Sequence, residues 1–466
     1  MGFSQNFRLL ALLGVLSLGP SAGAGAADDP AETKPLIRLF GQASGAGAAT
    51  SRDELFGLDK PAADKPAPAA SAWRGIIQGE VARAYRDPAH WSKARVRFEL
   101  NRKGQFSENV KWTIGGRFDY DAAYDRSNFY PPPVRDDQRR EFSWRENYLD
   151  ITAGDWELRL GRQHVVWGEM VGLFFADVVS ARDMREFLLP EFGQLRIPQW
   201  AARAEHFMGD SKVEFLWIPV PSFDNIGKPG ADFFPYPLPV PASYVPEHQP
   251  DRKLANTNYG LRMSHLKGGW DVSGFYYHSV DAVPTFYRVS APGQPFVFQP
   301  RHDKIDQVGG TLAKDIEGVV LKGELVYTDG RKFNVTRPTQ PDGLVKQNTL
   351  DYALGLDFTL SGDMRLNLQF FQRAFFSHDA DIIPRKRESG ASIFLSDKLG
   401  QKVEAQALLV HSLNRSDWML RPQIFWNFER NWRLTVGADV FGGPITGFFG
   451  RYDNNDRVYT EVRYSF

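Results

Sequence analysis

The chain has 466 residues, of which 14% are aromatic and none is cysteine, and its 56 basic residues balance its 56 acidic residues. The lack of cysteine excludes thiol catalysis, cysteine metal sites and disulfides, and the zero net charge gives no indication of nucleic-acid binding. A mean hydropathy of −0.39 argues against a helical membrane protein, because no stretch beyond the N-terminus provides the roughly 18 uninterrupted apolar residues of a spanning helix.

Three regions of different composition divide the chain. Residues 1–26 are predicted to be a secretory signal, because Arg8 precedes the short apolar run Leu9–Leu18 and small residues at 24–26 suit cleavage; a buried N-terminal helix is the alternative. Residues 27–72 are rich in Ala, Pro and Gly and are predicted to be a periplasmic linker. Residues 73–466 form the third region, whose pattern decides the fold class.

Apolar and charged residues alternate in many stretches of the third region, which predicts β-strands. At its end, Val458, Val462 and Phe466 share one strand face, whereas Glu461 and Arg463 share the other. Such a strand suits a position with lipid on its apolar side and water on its charged side. Because backbone groups must be hydrogen-bonded in a bilayer, both strand edges must then be paired, which requires a closed barrel. A soluble sheet edge alternates too, but a β-sandwich or propeller needs neither an export signal nor loops that are long at one end only.

The connections alternate between short and long. Tight turns are predicted at 103–105, 153–155, 208–210, 266–269, 316–318, 361–363, 398–400 and 429–431. Long connections are predicted at 120–139, 163–198, 219–254, 280–303, 330–349, 375–388 and 442–456, with shorter ones at 86–90 and 414–417. The sequence therefore predicts an all-β, antiparallel transmembrane barrel of about 18 strands, with short periplasmic turns, long extracellular loops and both termini in the periplasm. Neither face of Phe142–Thr152 is cleanly apolar, which predicts a bulge or register break there.

Candidate functional residues lie on the inner strand faces and in the connection 163–198. Barrels of this size enclose an aqueous channel, and this connection, about 36 residues long, exceeds an ordinary loop. This connection can either fold inward and narrow the lumen or form an external loop packed against its neighbours. The spacing of its residues in the sequence fits either alternative. The candidates for the lumen or its constriction are Arg159, Arg162, Glu169, Asp177, Arg182, Asp183, Arg185, Arg196, Arg203 and Glu205. Opposite charges two residues apart form either a self-neutralising ladder that braces the wall or a track for an anionic solute.

Several short motifs carry a resemblance to a known family. Leu160-Gly-Arg-Gln, Trp167-Gly-Glu, Leu195-Arg-Ile-Pro198 and Trp217-Ile-Pro219, together with Asp177 and the ending Gly442–Phe466, resemble a family of Gram-negative outer-membrane barrels known mainly as a domain of unknown function. The alginate-export porins are similar at a coarser level, with about 18 strands and an Arg-lined lumen. The resemblance implies periplasmic or inner-membrane export partners and the export of a hydrophobic or amphipathic compound. It implies no binding residue.

The combined prediction is a porin-like channel in the outer membrane that passes a polar, anionic or amphipathic solute, either alone or as the outer component of an export system. The residues leave the direction of transport open. Its other partners would be outer-membrane lipid and the barrel-insertion machinery, with no cofactor, no metal and no nucleic acid. A barrel that mainly presents its loops, as an adhesin or scaffold, is the alternative. A barrel hydrolase is a third hypothesis, although the sequence lacks His-Glu-x-x-His and has Gly-x-Ser-x-Gly only at 19–23, within the predicted signal. The Pro-rich loop Pro219–Pro250 suits a lid, a docking surface or a packed cap.

Overall fold

A computed structural model describes residues 73–126, 128–168, 170, 175–360 and 362–466. The predicted signal (1–26) and linker (27–72) lie outside the described residues, as does Glu169. Those two predictions therefore stay predictions.

The described chain forms a closed antiparallel barrel of 18 strands, as predicted. The barrel strands are β1 Trp73–Ala84, β2 His90–Ser107, β3 Val110–Asp121, β4 Arg140–Ala153, β5 Trp156–Gln163, β6 Gln199–Met208, β7 Ser211–Val220, β8 Asn258–Lys267, β9 Trp270–Val280, β10 Lys304–Ile316, β11 Val319–Asp329, β12 Thr349–Thr359, β13 Arg365–Phe375, β14 Arg387–Lys398, β15 Val403–Ser412, β16 Trp418–Glu429, β17 Trp432–Gly442 and β18 Arg457–Ser465. Each strand pairs with its neighbours in sequence, and β1 pairs with β18 from Ile76↔Ser465 to Ala84↔Arg457. The sheet therefore has no free edge.

Both faces of the wall follow the predicted alternation. Val96 and Phe98 are exposed on the outside of β2, and Val458 is exposed on the outside of β18. Arg97 and Arg463, on the opposite faces of the same strands, are buried inside the barrel. An apolar exterior and a charged interior are what a strand needs between lipid and water.

Short turns and long connections alternate around the barrel, with one predicted turn misplaced. The turn predicted at 103–105 is wrong, because β2 continues through Gly104 to Ser107 and the chain reverses at Glu108 and Asn109. A glycine is tolerated within this strand because the ring of Trp112 covers Gly104, where a Cβ would collide with it. Gly104 is therefore required by the packing of Trp112 and does not indicate a turn.

The predicted irregularity in β4 is confirmed. Ile114 pairs with Asn147 but Gly116 pairs with Trp144, so the two residues 145 and 146 lie opposite one residue of β3. Such a bulge changes the direction of side chains without ending the strand. It turns Arg145, which is 8% exposed, into the barrel interior.

Small elements cover the end of the barrel that carries the long connections, called here the loop end. They are the helices Ala123–Arg126, Pro132–Gln138 and Phe192–Leu195, the 3-10 turns Leu254–Asn256 and Gly450–Asn455, and the short strands Ala181–Arg182, Arg196–Ile197, Ala242–Tyr244, Thr285–Arg288, Phe296–Arg301, Lys332–Asn334 and Leu344–Lys346, of which the first two strands and Phe192–Leu195 belong to the connection after β5. None of the helices within the described residues has the length and apolar content to cross a membrane. In the Pro-rich loop, Phe233 and Phe234 are each 3% exposed, which favours a packed cap over a lid.

Candidate functional site

The chain leaves the barrel wall at the end of β5, which has 8 residues against 14 in its neighbour β4. Gly161 has a φ of 128°, a conformation that L side chains rarely adopt, and a Cβ there would collide with the backbone of Asn147 and Tyr148. The chain rejoins the wall at Gln199, the first residue of β6. The described residues of this connection, 164–168, 170 and 175–198, are called the inner segment below, because their contacts lie inside the barrel.

An apolar anchor fixes the start of the inner segment. Trp167 is fully buried, and its ring centroid lies 5.2 Å from that of Phe275 and 5.6 Å from that of Tyr277, both on β9. Its Nε1 donates a hydrogen bond of 2.7 Å to Oε1 of Glu214 on β7. Because the indole N–H is satisfied inside the cluster, the ring can be buried without a polar penalty.

A single carboxylate on β11 holds the next part of the inner segment. Glu324, 3% exposed, accepts the backbone N–H groups of Met170 at 2.7 Å, Phe175 at 2.8 Å and Ala176 at 2.9 Å. Hydrogen bonds to an ionised acceptor are stronger than those between neutral groups. The wall thus supplies a fixed anion around which the segment backbone is arranged.

Glu186 connects the inner segment to the opposite side of the barrel. Its carboxylate pairs with Arg95 of β2 at 2.7 Å, with Arg457 of β18 at 3.3 Å, and with Lys93 of β2. Burial raises the pKa of Glu186, but Lys93, Arg95 and Arg457 together outweigh it, and the net pKa lies well below that of an ordinary glutamate. The carboxylate is therefore ionised at neutral pH.

Three further contacts extend the inner segment across the lumen. Glu191 pairs with Arg433 of β17 and with Arg463 of β18, each at 3.1 Å. The carbonyl oxygen of Leu189 accepts a hydrogen bond of 2.7 Å from Arg421 of β16. With β7, β9 and β11 on the other side, the segment contacts strands on opposite sides of the barrel. The structure therefore favours the inward alternative that the sequence left open.

Asp177, Arg182 and Arg196, three of the predicted residues, stabilise the inner segment itself. Asp177, 2% exposed, accepts hydrogen bonds from Nε of Arg196 at 2.8 Å and from Oγ of Ser180 at 3.0 Å. Arg182 pairs with Arg196 in a two-residue ladder, and its backbone N–H donates to Oδ1 of Asp224 at 2.7 Å. These residues hold the segment closed on itself and against the following loop.

Asp183 and Arg185 lie together against β4. The guanidinium of Arg185 donates to Oδ1 and Oδ2 of Asp183 at 2.8 and 2.6 Å and also to Glu141. Burial raises the pKa of Asp183, but the charge and hydrogen bonds of Arg185 outweigh it, so the net pKa lies below the ordinary value. Both side chains border a cavity of about 50 Å³ between the segment and the wall.

Arg159, Arg203 and Glu205 lie on the inner wall and pair with wall residues. Arg159 donates to Asp150 at 2.5 Å, Arg203 lies 3.2 Å from Glu205, and Glu205 also pairs with Lys212 at 2.6 Å. This arrangement matches the self-neutralising ladder that was one of the two interpretations.

Arg162 is not a lumen residue. It pairs with Trp200, which is exposed on the outer face, and the alternation of β5 places it on the same side as Leu160. Its Nε donates to the backbone oxygen of Trp144 at 2.9 Å. The period-2 alternation of β5, in which Arg159 faces inward, therefore contradicts the prediction of a lumen position for Arg162.

Several residues that join the inner segment to the wall are not among the constriction candidates. The sequence places Arg95, Arg97 and Glu324 on inner strand faces and Glu186 in the connection, but it singles out neither Glu191 nor Arg145. A usable signal existed, because inward-facing arginines on strand faces need anions and the long connection supplies them. The pairing itself joins residues far apart in the chain and needs the three-dimensional structure.

Comparisons with known proteins agree with the fold. A family model described as "Protein of unknown function (DUF1302)" matches residues 89–367, more than half of the 466 residues. Among solved structures, the chain is similar to OccAB1 of Acinetobacter baumannii, with a TM-score of 0.51 and 8% identity over 85% of this chain and 96% of that chain. It is also similar to OccAB3 of the same organism, with a TM-score of 0.48 and 9% identity over 85% of this chain and 99% of that chain. The anion-selective porin from Comamonas acidovorans matches with a TM-score of 0.40 and 11% identity over 86% of this chain and 100% of that chain. At 8% identity the similarity to OccAB1 shows the fold alone, and no curated protein matches the chain.

Proposed function

Because the chain belongs to the family described as "Protein of unknown function (DUF1302)", which names no activity, we propose a function from the barrel: an outer-membrane channel for a polar solute, with a charge-lined lumen narrowed by the inner segment. A closed barrel with an apolar exterior supports residence in a bilayer. An 18-stranded wall is wide enough to enclose water. The solute would pass down its gradient.

The observation that carries this proposal is the path of the inner segment across the lumen. Its apolar start packs against β7 and β9, and its later part pairs with β2, β17 and β18. A segment fixed on opposite sides divides the barrel interior into smaller passages. Solutes would then be selected by size at this level.

Shortening the inner segment tests this role directly. The backbone N–H of Asp183 donates to the carbonyl oxygen of Leu195 at 2.7 Å, so residues 184–194 form a loop whose ends already meet. Replacing 184–194 by an Asn-Gly turn removes the contacts of Glu186 and Glu191 while keeping the ladder at 181–182 and 196–197. Single-channel conductance in planar bilayers should rise several-fold.

A matched control exists at the loop end. Asn334 pairs with Leu344, so residues 335–343 can be replaced by the same Asn-Gly turn without touching the inner segment. This variant should conduct like the unmodified protein. Equal conductance in all three proteins, or no channels from the folded protein, would exclude the proposed role.

We also propose a role of this barrel in export. Export partners, a role as the outer component of an export system and the similarity to alginate-export porins rest on the sequence resemblance alone. A strain lacking the gene should retain an exported amphipathic compound if the protein serves export. Periplasmic partners should co-purify with the barrel after cross-linking in whole cells.

A further inference from the structure

The cavity of about 50 Å³ between the inner segment and strands β2 and β3 has an unusual charge arrangement. Its volume exceeds several-fold the roughly 10–15 Å³ that one water needs. Arg97, Arg117 and Asp119 line it from the wall, and Asp183 and Arg185 line it from the segment. A small anion would fit the same space.

Asp119 is shared between two arginines. Arg97 donates to Oδ1 and Oδ2 of Asp119 at 2.6 and 3.2 Å, and Nε of Arg117 lies 3.0 Å from Oδ2. Arg145, 8% exposed, approaches the same region, but its guanidinium donates to the backbone oxygens of Gly193 and Arg196. Two buried guanidinium groups thus contact one carboxylate.

The other carboxylates that line the cavity have partners of their own. Asp183 and Glu141 pair with Arg185, and Glu186 pairs with Lys93, Arg95 and Arg457. Asp232 accepts hydrogen bonds from His90 and Tyr130. Asp121 accepts hydrogen bonds from the backbone N–H groups of Ala94 and Ala123. Glu99 lies opposite Arg117 in the strand register but beyond salt-bridge distance. Asp119 is thus the one carboxylate that the hydrogen bonds and ion pairs of the described residues place directly on Arg97 and Arg117.

Arg117 has an unused donor in this cavity. The residue is 4% exposed, and its Nη1 is buried with no hydrogen-bond partner among the described residues. A buried donor without a partner costs about 1–3 kcal/mol, and more for a charged group. Nearby, burial lowers the pKa of His164 well below its ordinary value, with Arg145 and Arg196 as the next causes, which agrees with a positive local potential.

We propose that this cavity is a binding site for a small carboxylate, held by Arg117 and Arg97 beside Asp119. A carboxylate has two oxygens that match the planar fork of a guanidinium. It would satisfy the unused N–H of Arg117. This site goes beyond the proposed channel, because equilibrium binding requires no conduction.

Isothermal titration calorimetry on the folded protein in detergent micelles tests the site, with acetate as the probe. Acetate replaces chloride at constant ionic strength, so that screening stays unchanged. The unmodified protein should bind acetate saturably at one site. Arg117→Gln should weaken binding at least tenfold, and Asp119→Asn should strengthen it, because that variant frees both arginines for the ligand.

Arg159→Gln is the matched control, because Arg159 is also an inward arginine but is paired with its own partner, Asp150. Its acetate affinity should equal that of the unmodified protein. Should Arg117→Gln fail to fold, Asp119→Asn and Arg159→Gln still decide the matter. Absence of saturable binding, loss of binding in Arg159→Gln, or weaker binding in Asp119→Asn would overturn the proposal. Conductance measured on the same preparations reports on the channel separately.

Discussion

Replacing Glu186 by Gln should release the middle of the inner segment from the wall. Glu186 pairs with Lys93 and Arg95 of β2 and with Arg457 of β18. These two strands are separated by β1. Glutamine keeps the size of the side chain but removes the charge. The barrel strands keep their backbone pairing, so we expect local opening rather than global unfolding.

The magnitude follows from the carboxylates that remain. Removing one member of a buried ion pair costs about 3–5 kcal/mol. Glu80 still lies 2.7 Å from both Lys93 and Arg95, and Asp439 lies 2.8 Å from Arg457, so each cation keeps one partner. We therefore expect the lower end, about 3 kcal/mol, which corresponds to roughly a hundredfold increase in the population of the open segment.

Thiol labelling measures this opening. The natural chain has no cysteine, and Ser180 lies in the segment, is 6% exposed and differs from cysteine by one atom. In a Ser180→Cys background, the labelling rate with a soluble maleimide should rise about a hundredfold when Glu186→Gln is added, provided that closing is fast relative to labelling. Heat-modifiability of the barrel should stay unchanged.

The control substitution is Glu108→Gln, which makes the same chemical change at an exposed turn. It should leave the labelling rate of Ser180→Cys within about twofold, as expected for an exposed charge. If Glu186→Gln also changes the rate by less than about threefold, Glu186 contributes below 1 kcal/mol, and ionic anchoring of the inner segment by Glu186 is refuted.

Three further predictions concern assembly, topology and pH. Phe466 exchanges two backbone hydrogen bonds with Gly75, so deleting Phe466 should lower the yield of heat-modifiable protein. An impermeant maleimide on intact cells should label a cysteine at Pro341 and not one at Gly154, and the reverse pattern would contradict the predicted sidedness. Burial raises the pKa of Asp224 to about 6, so its stabilising contribution is present below the ordinary carboxyl pKa and lost as the pH rises through 6. Asp224→Asn should gain about 3 kcal/mol of unfolding free energy on the unmodified protein between about pH 4 and pH 7, and a constant difference would contradict this.

The barrel could be predicted from the sequence because its evidence is local. Alternation in single strands such as Trp432–Gly442 and Arg457–Ser465 reports which face is apolar, and turn residues report where strands end. Local evidence also misled, since Gly104 sits within a strand under the ring of Trp112. A glycine required for packing and a glycine required for a turn cannot be distinguished without the partner strand.

The candidate site could be predicted only in outline, because its pairs join distant parts of the chain. The length and charge of the connection 163–198 indicated a special role, and within it Asp177 pairs with Arg196 and Asp183 pairs with Arg185. The partners of Glu186 and Glu191 lie on β2, β17 and β18, and nothing in the spacing of the chain identifies them.

The division of charge between the wall and the inner segment has a consequence for selectivity. Residues 184–194 carry Arg185, Glu186 and Glu191, so removing them leaves the lumen with one more positive charge. Both glutamates pair with wall cations that then face the open lumen. The shortened variant should therefore shift its reversal potential toward anions in a salt gradient, whereas the control shortened at 335–343 should not. The shift should be large near 0.01 M salt, where the Debye length is about 30 Å, and small near 1 M, where it is about 3 Å. A shift toward cations would mean that the segment supplies the positive charge of the passage and that the wall arginines are neutralised without it.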